Sequence, residues 1–183
     1  MLKLKQIATI SVLTLVMTGC VSPNKDTVFT AETVVSKPVL VVEETPDIME
    51  IARLDANTRK INKMIKGLKK HVNKTWYVFS GSNPRGWDCS GLTVWAYGQM
   101  GISLEHRASK QESAGYKVSD PKPGDLVIFK YKGYKTAYHV GVYIGDGLMI
   151  HAPRKGEVTR VESVTQFGGK YSKISYVRFI DSI

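Results

Sequence analysis

Gly86-Trp87-Asp88-Cys89-Ser90-Gly91-Leu92 is the stretch on which the reading of this 183-residue chain turns. The turn formers of Ser80 to Gly86 end at it, and an apolar helical pattern over 89–100 begins at it, with Asp88 as N-cap and Gly101 just past the end. Cys89 is thereby expected in the first turn of a helix. There the helix dipole and unpaired N–H groups favour an anion, and the same N–H groups can donate to a developing oxyanion. A thiol attacks carbonyls as the thiolate, so this placement points to a nucleophile. The ordinary alternatives are a core cysteine, a metal ligand and half of a disulfide.

A nucleophile needs a base within hydrogen-bond reach, and four histidines are available. His71, at the end of a lysine-rich helix, and His106, in a charged loop, read as solvated. His139 and His151 lie at the two ends of a hairpin whose turn is Gly145-Asp146-Gly147. If that turn is a three-residue loop, Ile144 faces Leu148 and His139 pairs opposite Pro153. His151 is then two positions off on the same face, a diagonal of about 7–8 Å between backbones. A two-residue loop would put the two histidines on opposite faces. In the first arrangement His139 is the base and His151 orients it. Either histidine alone would be an ordinary core or edge residue; the shared hairpin and the capping cysteine together favour catalysis. A Cys/His/His zinc site is the competing constellation, but no C-x-x-C or H-x-x-x-H spacing supports it, so no metal or cofactor is expected.

Upstream of this stretch, Ile51, Leu54, Thr58, Ile61, Ile65, Leu68 and Val72 alternate steps of three and four, with Lys60, Lys63, Lys66, Lys69 and Lys70 off the stripe. Thr58 breaks the repeat and e/g charge pairs are lacking, so packing on a domain is favoured over a coiled coil. Downstream, Pro121 to Asp125 is a turn, and strands are read over 126–131, 139–144, 148–152, 158–161 and 174–180. Helices precede strands, so the class is α+β, with N-terminal helices packed on an antiparallel sheet of about five strands. The folded part is placed at 47–183, its core at about 64–180.

The N-terminal end carries Lys3 and Lys5, an apolar run from Ile7 to Met17, then Thr18-Gly19-Cys20. This is the layout of a secretory signal over 1–19. A cysteine directly after the small residue resembles the bacterial lipoprotein signal, whose thiol is lipidated, although Met17 stands where that pattern usually has Leu. A lipidated Cys20 leaves Cys89 without a disulfide partner among the two cysteines of the chain. Residues 20–46, mixing Ser, Thr, Pro, Glu and Val without period, read as a flexible tether. Loss of residues 1–19 removes two lysines and no acid, lowering the net charge from +10 to +8. A basic exported protein suits anionic envelope polymers or lipid headgroups, while nucleic acid is not an expected partner. A solvated lysine face explains the charge equally well.

At these residues the chain resembles the NlpC-type family of bacterial cell-wall cysteine peptidases, over about 64–179. Tyr77-Val78-Phe79-Ser80-Gly81 and the run Ser82 to Leu92 follow the family's nucleophile segment. Arg107-Ala108-Ser109-Lys110-Gln111 is similar to its R-x-S-x-x-Q element, and Pro123-Gly124-Asp125-Leu126-Val127 to its turn into the first strand. His139-Val140-Gly141-Val142-Tyr143-Ile144-Gly145 is similar to the segment bearing its catalytic histidine, and His151-Ala152-Pro153 to that of its third polar residue. The resemblance implies a papain-like fold with nucleophile Cys89, base His139 and orienting His151. It further implies that the Tyr77 hydroxyl assists the oxyanion site and that Asp88 and Ser90 help place the substrate. Three departures bear on the cleft walls: Ser80 for Gly, Glu105-His106 where Pro is common, and an insertion from Lys132 to Ala137.

The expected function is a lipid-anchored endopeptidase acting on peptidoglycan stem peptides or cross-links in the cell envelope. With no Asp after Cys20, lipoprotein sorting points to the outer membrane facing the periplasm in a two-membrane host. Two alternatives are an idle envelope lipoprotein that binds wall peptides or a regulatory partner, and an amidase or acyl-transfer enzyme using the same site. Fast alkylation of Cys89 at neutral pH is expected of the enzyme and not of the binder.

Overall fold

The structure is a computed structural model describing residues 47–181. The signal segment, Cys20 and the tether lie outside the described residues. The first helix, α1 (Ile48–Lys69), starts where the Asp47 side chain accepts the Met49 N–H at 3.2 Å. Ile61, Met64, Ile65 and Leu68 are buried, whereas Ile51, in the first turns, is 46% exposed. The stripe read from the sequence therefore packs on the domain along its C-terminal half only.

A two-stranded ribbon, β1 (Ser82–Asn83) and β2 (Gly86–Trp87), leads into α2 (Cys89–Gly98), and α3 (Ala108–Ala114) follows. Then come β3 (Tyr116–Val118), β4 (Leu126–Tyr131), β5 (Ala137–Gly145), β6 (Leu148–His151), β7 (Arg160–Ser163), α4 (Val164–Gly168) and β8 (Ser172–Arg178). The sheet has six antiparallel strands in the order β3-β8-β4-β5-β6-β7, rather than about five. The strand missing from the sequence reading is β3. Its three residues are too short for an alternation signal, and its partner β8 lies far along the chain.

One sheet face carries Leu126, Ile128, Val140, Val142, Ile150 and Val177, packed against Ile61, Leu68, Leu92 and Ala96 of α1 and α2. The other carries Val127, Phe129, Tyr143 and Met149, covered by Val164 and Phe167 of α4. The Pro123-Gly124-Asp125 turn joins the two layers. Gly124 has φ +100°, the Tyr97 hydroxyl donates to its carbonyl at 2.5 Å, and Asp125 takes two hydrogen bonds from Arg178 at 2.8 Å each. The strand expected at 158–161 lies two residues later. Thr159 instead exchanges backbone hydrogen bonds with Asn73 and Thr75, of 2.7 and 2.8 Å, and Trp76 bridges Val158.

Candidate active site

Asp88 caps α2 in extended backbone, its Oδ1 accepting the Gly91 N–H at 2.8 Å. The same carboxylate also accepts from Ser90 Oγ at 2.9 Å and the Ser80 N–H at 3.0 Å, and it pairs with His106 Nε2 at 2.8 Å. It is 8% exposed. Burial alone would raise its pKa, but the hydrogen bonds from Gly91, His106 and Ser90 outweigh that and hold it below its usual value. His106 is exposed, as its charged loop suggested, but its ring is held on Asp88. It occupies the space beside Gly91, where a Cβ would come within 2.9 Å of its ring. His71, also read as solvated, is instead half-buried, edge-on to Trp87 and Trp95 at 5.1 and 5.2 Å. Of the three tryptophans, Trp87 is wholly buried and Trp76 is 59% exposed at the rim.

Cys89 follows the cap as the first helical residue, partly buried, with the N–H groups of Val140, Ser90 and its own backbone directed at sulfur. Among the described residues it has no hydrogen bond to an imidazole. Those N–H groups lower the thiol, as the helix terminus suggested, but they do not decide the balance. Burial, with the Asp88 charge adding to it, outweighs those N–H groups and pushes the thiol up to about 11. Tyr77 shares this locality: burial, then the charges of Cys89 and Asp88, raise its phenol.

The hairpin brings the two histidines together by a route different from the one expected. The turn is the two residues Asp146 and Gly147, with φ of 53° and 71°, between the paired Gly145 and Leu148. A two-residue turn alone would separate the histidines. A bulge between Tyr143 and Gly145 restores the parity, so Val142 pairs with Ile150 and Tyr143 with Met149. His151 then lies beside Gly141, two residues after His139 on the same face, and a Cβ on Gly141 would sit 3.2 Å from that of His151. His139 Nε2 and His151 Nδ1 are 2.8 Å apart, with the rings at 90°. Phe167 of α4 lies 4.6 Å from both rings and walls them off from water.

His139 is 4% exposed and His151 wholly buried. Burial first, then its neighbour His151, hold His139 well below 6.5, against an opposing pull from Asp88. Burial and the Arg160 charge bring His151 down to about 3. A raised thiol beside lowered imidazoles suits general-base activation of sulfur as it attacks. No group of three or more His, Cys, Asp or Glu among the described residues is placed to hold a metal. Beyond His151 lies Glu162, whose Oε2 is 3.0 Å from His151 Nε2. Sequence reasoning missed it, because only the pairing of β6 with β7 brings it there.

The insertion before β5 forms the β4–β5 connection, where Tyr131 stacks on Tyr138 at 4.2 Å, next in sequence to His139.

Comparison with known proteins agrees with this arrangement. A probable endopeptidase of Mycobacterium tuberculosis is 41% identical over 102 residues, 55% of this chain and 26% of that protein. Murein DD-endopeptidase MepH of Escherichia coli is 37% identical over 122 residues, 61% of this chain and 45% of that one. The chain thus matches less than half the length of these relatives. Among solved structures, the NlpC/p60 domain of the peptidoglycan hydrolase SagA superposes with a TM-score of 0.56 at 36% identity, over 65% of this chain and 98% of that domain. The family model that matches covers residues 74–180, from just before Tyr77 to the end of the sheet, and so takes in the capped cysteine, the histidine hairpin and the α+β papain-like frame that holds them: the chain belongs to the NlpC/P60 family.

Proposed function

We propose that this chain is a lipid-anchored cysteine endopeptidase that hydrolyses amide bonds in peptidoglycan stem peptides or cross-links. The observation that carries the proposal is the buried His139–His151 pair, 2.8 Å apart, on the strand pair whose Val140 N–H is directed at Cys89, the first residue of α2. The relatives described as endopeptidases and the peptidoglycan hydrolase structure support the substrate class.

His139 takes the thiol proton as sulfur attacks the amide carbonyl, and the N–H groups at the start of α2, with the Tyr77 hydroxyl, receive the developing oxyanion. The same proton passes to the leaving amine. Water, activated by His139, then hydrolyses the thioester. Asp88 and Ser90 serve substrate placement indirectly, by holding Ser80 and His106 at the rim. Cys20 carries the lipid, placing the domain in the cell envelope, on the outer membrane facing the periplasm in a two-membrane host.

Purified peptidoglycan is to be digested with wild type and Cys89→Ala. New muropeptides are expected from the wild type alone, with or without a chelator; equal release from both proteins, or release that the chelator stops, would overturn the mechanism. The raised thiol favours one second reading, a wall-peptide binder. Muropeptide binding by the wild type without turnover would mark it.

A further inference from the structure

The His139–His151 hydrogen bond can be made in two ways. Either His139 Nε2 donates to His151 Nδ1, or the proton sits on His151 Nδ1 and is donated the other way. The bond is equally satisfied in both, but the chemistry is opposite. In the first, neutral His139 has a bare Nδ1 able to accept a proton; in the second, Nδ1 already carries one.

We propose that Glu162 is a positioning residue that fixes the tautomers of both imidazoles and thereby leaves Nδ1 of His139 free to act as base. The inference rests on the reading of Cys89, His139 and His151 as one catalytic set. A carboxylate only accepts, so His151 Nε2, 3.0 Å from Glu162 Oε2, must carry a proton. His151 is wholly buried and neutral, so that is its single ring proton, and its Nδ1 is an acceptor. The atom facing that acceptor at 2.8 Å is His139 Nε2, which must therefore donate. Neutral His139 then has no proton on Nδ1, and that nitrogen has no hydrogen-bond partner among the described residues.

The carboxylate is itself held in place. Arg160 Nε donates to the same Oε2 at 2.9 Å, from the position directly opposite His151 in the β6–β7 register. Glu162 stands two pairs along, opposite Met149 and so on the face of His151, and is about 20% exposed. It touches no reacting atom and acts through His151 alone. Glutamine at 162 would keep an amide oxygen facing both Arg160 Nε and His151 Nε2 and so preserve the order, whereas methionine offers no acceptor, leaves an Nε2–H of His151 unpaired, and favours the reversed proton order and a blocked base.

The test reads tautomers and kinetics together. In wild-type protein labelled with ¹⁵N-histidine, the ring-nitrogen shifts are expected to show both His139 and His151 protonated on Nε2. In Glu162→Met both rings are expected to move to the Nδ1–H form, with kcat for muropeptide cleavage falling about 10²- to 10⁴-fold at nearly constant KM, and Glu162→Gln is expected to keep the wild-type tautomers and most of kcat. In a His151→Asn background, which has no tautomer to set, Glu162→Met should cause no further loss. A wild-type His139 protonated on Nδ1, unchanged tautomers in Glu162→Met, unchanged kcat despite a tautomer switch, or an additive loss with His151→Asn would each overturn the proposal. The wild-type spectrum decides the matter even if the variant fails to fold. A wild type that releases no muropeptide while its tautomers behave as stated would sink the catalytic reading instead, so the two failures are distinguishable.

Discussion

His139 and His151 are neutral because the hairpin buries them, and that has a consequence for stability as well as for catalysis. Both are held below their usual 6.5 in the folded chain, His151 down to about 3. As pH falls below 6.5 the unfolded chain takes up these protons and the folded chain does not, so stability is lost progressively from 6.5 towards 3. His71, lowered first by burial and then by Lys74 and Lys70, adds with the same sign. Asp88 is held below its usual 3.8, so its contribution is present above that value and fades only beneath it. Melting temperature is therefore expected to fall from pH 6.5 to about pH 4, and His151→Asn, which removes one of these groups, should make the fall shallower. A slope unchanged in that variant would remove His151 as its source. At this scale the candidacy of Cys89, His139 and His151 was legible from residue type and spacing. The rise of the Cys89 thiol was not, because burial is a property of what packs over a residue rather than of its neighbours in sequence.

At the scale of elements, the β5–β6 hairpin decides whether there is a site at all. Its two-residue turn needs positive φ at Asp146 and Gly147, which these residues tolerate, and its bulge at Ile144 turns His139 back to the face of His151. Gly141 leaves the gap into which His151 fits. A Cβ there would meet Met149 Sδ at 2.9 Å, His151 Cβ at 3.2 Å and the Ile150 carbonyl at 3.3 Å. Gly141→Ala is expected to destabilise the domain by about 1–3 kcal/mol and to lower muropeptide release more than that loss of folded protein explains, because the strand pair must part to admit the methyl. Urea denaturation alongside activity per folded molecule checks this; full specific activity would show that the spacing tolerates the methyl. The turn residues were visible in the sequence, but the bulge was not. Ile144 belongs to an ordinary strand run, and only its pairing shows that it is the extra residue.

For the whole molecule, the proposed anchor and the catalytic domain are expected to be separable. The described residues begin at the Asp47 cap, and the core they form is built from residues after it. A protein starting at residue 47 is expected to keep the melting temperature and the activity on soluble muropeptides of the longer chain, yet to leave the membrane fraction. Cys20→Ser should leave it too. Sedimentation with membranes undiminished in both would overturn lipid anchoring through Cys20. The basic charge, +10 over the whole chain, is spread in part along α1, where Lys63, Lys66 and Lys70 line a cleft of about 490 Å³ with His71 and Trp95. Nothing in the composition alone separates a binding face from a solvated one.

Taken by itself, the sequence determined the α+β class and the cap at Asp88 and singled out Cys89, His139 and His151 as candidates, since each depends on local spacing, turn chemistry or period, whereas α4 falls among the strands it was expected to precede. Tertiary structure alone decided the short edge strand β3, the bulge that turns the histidines to one face, the seat of His106 on Asp88, and Glu162 behind His151. These arise where segments distant in sequence pair or pack, and there burial and register, rather than local pattern, set what a side chain touches and whether it holds a proton.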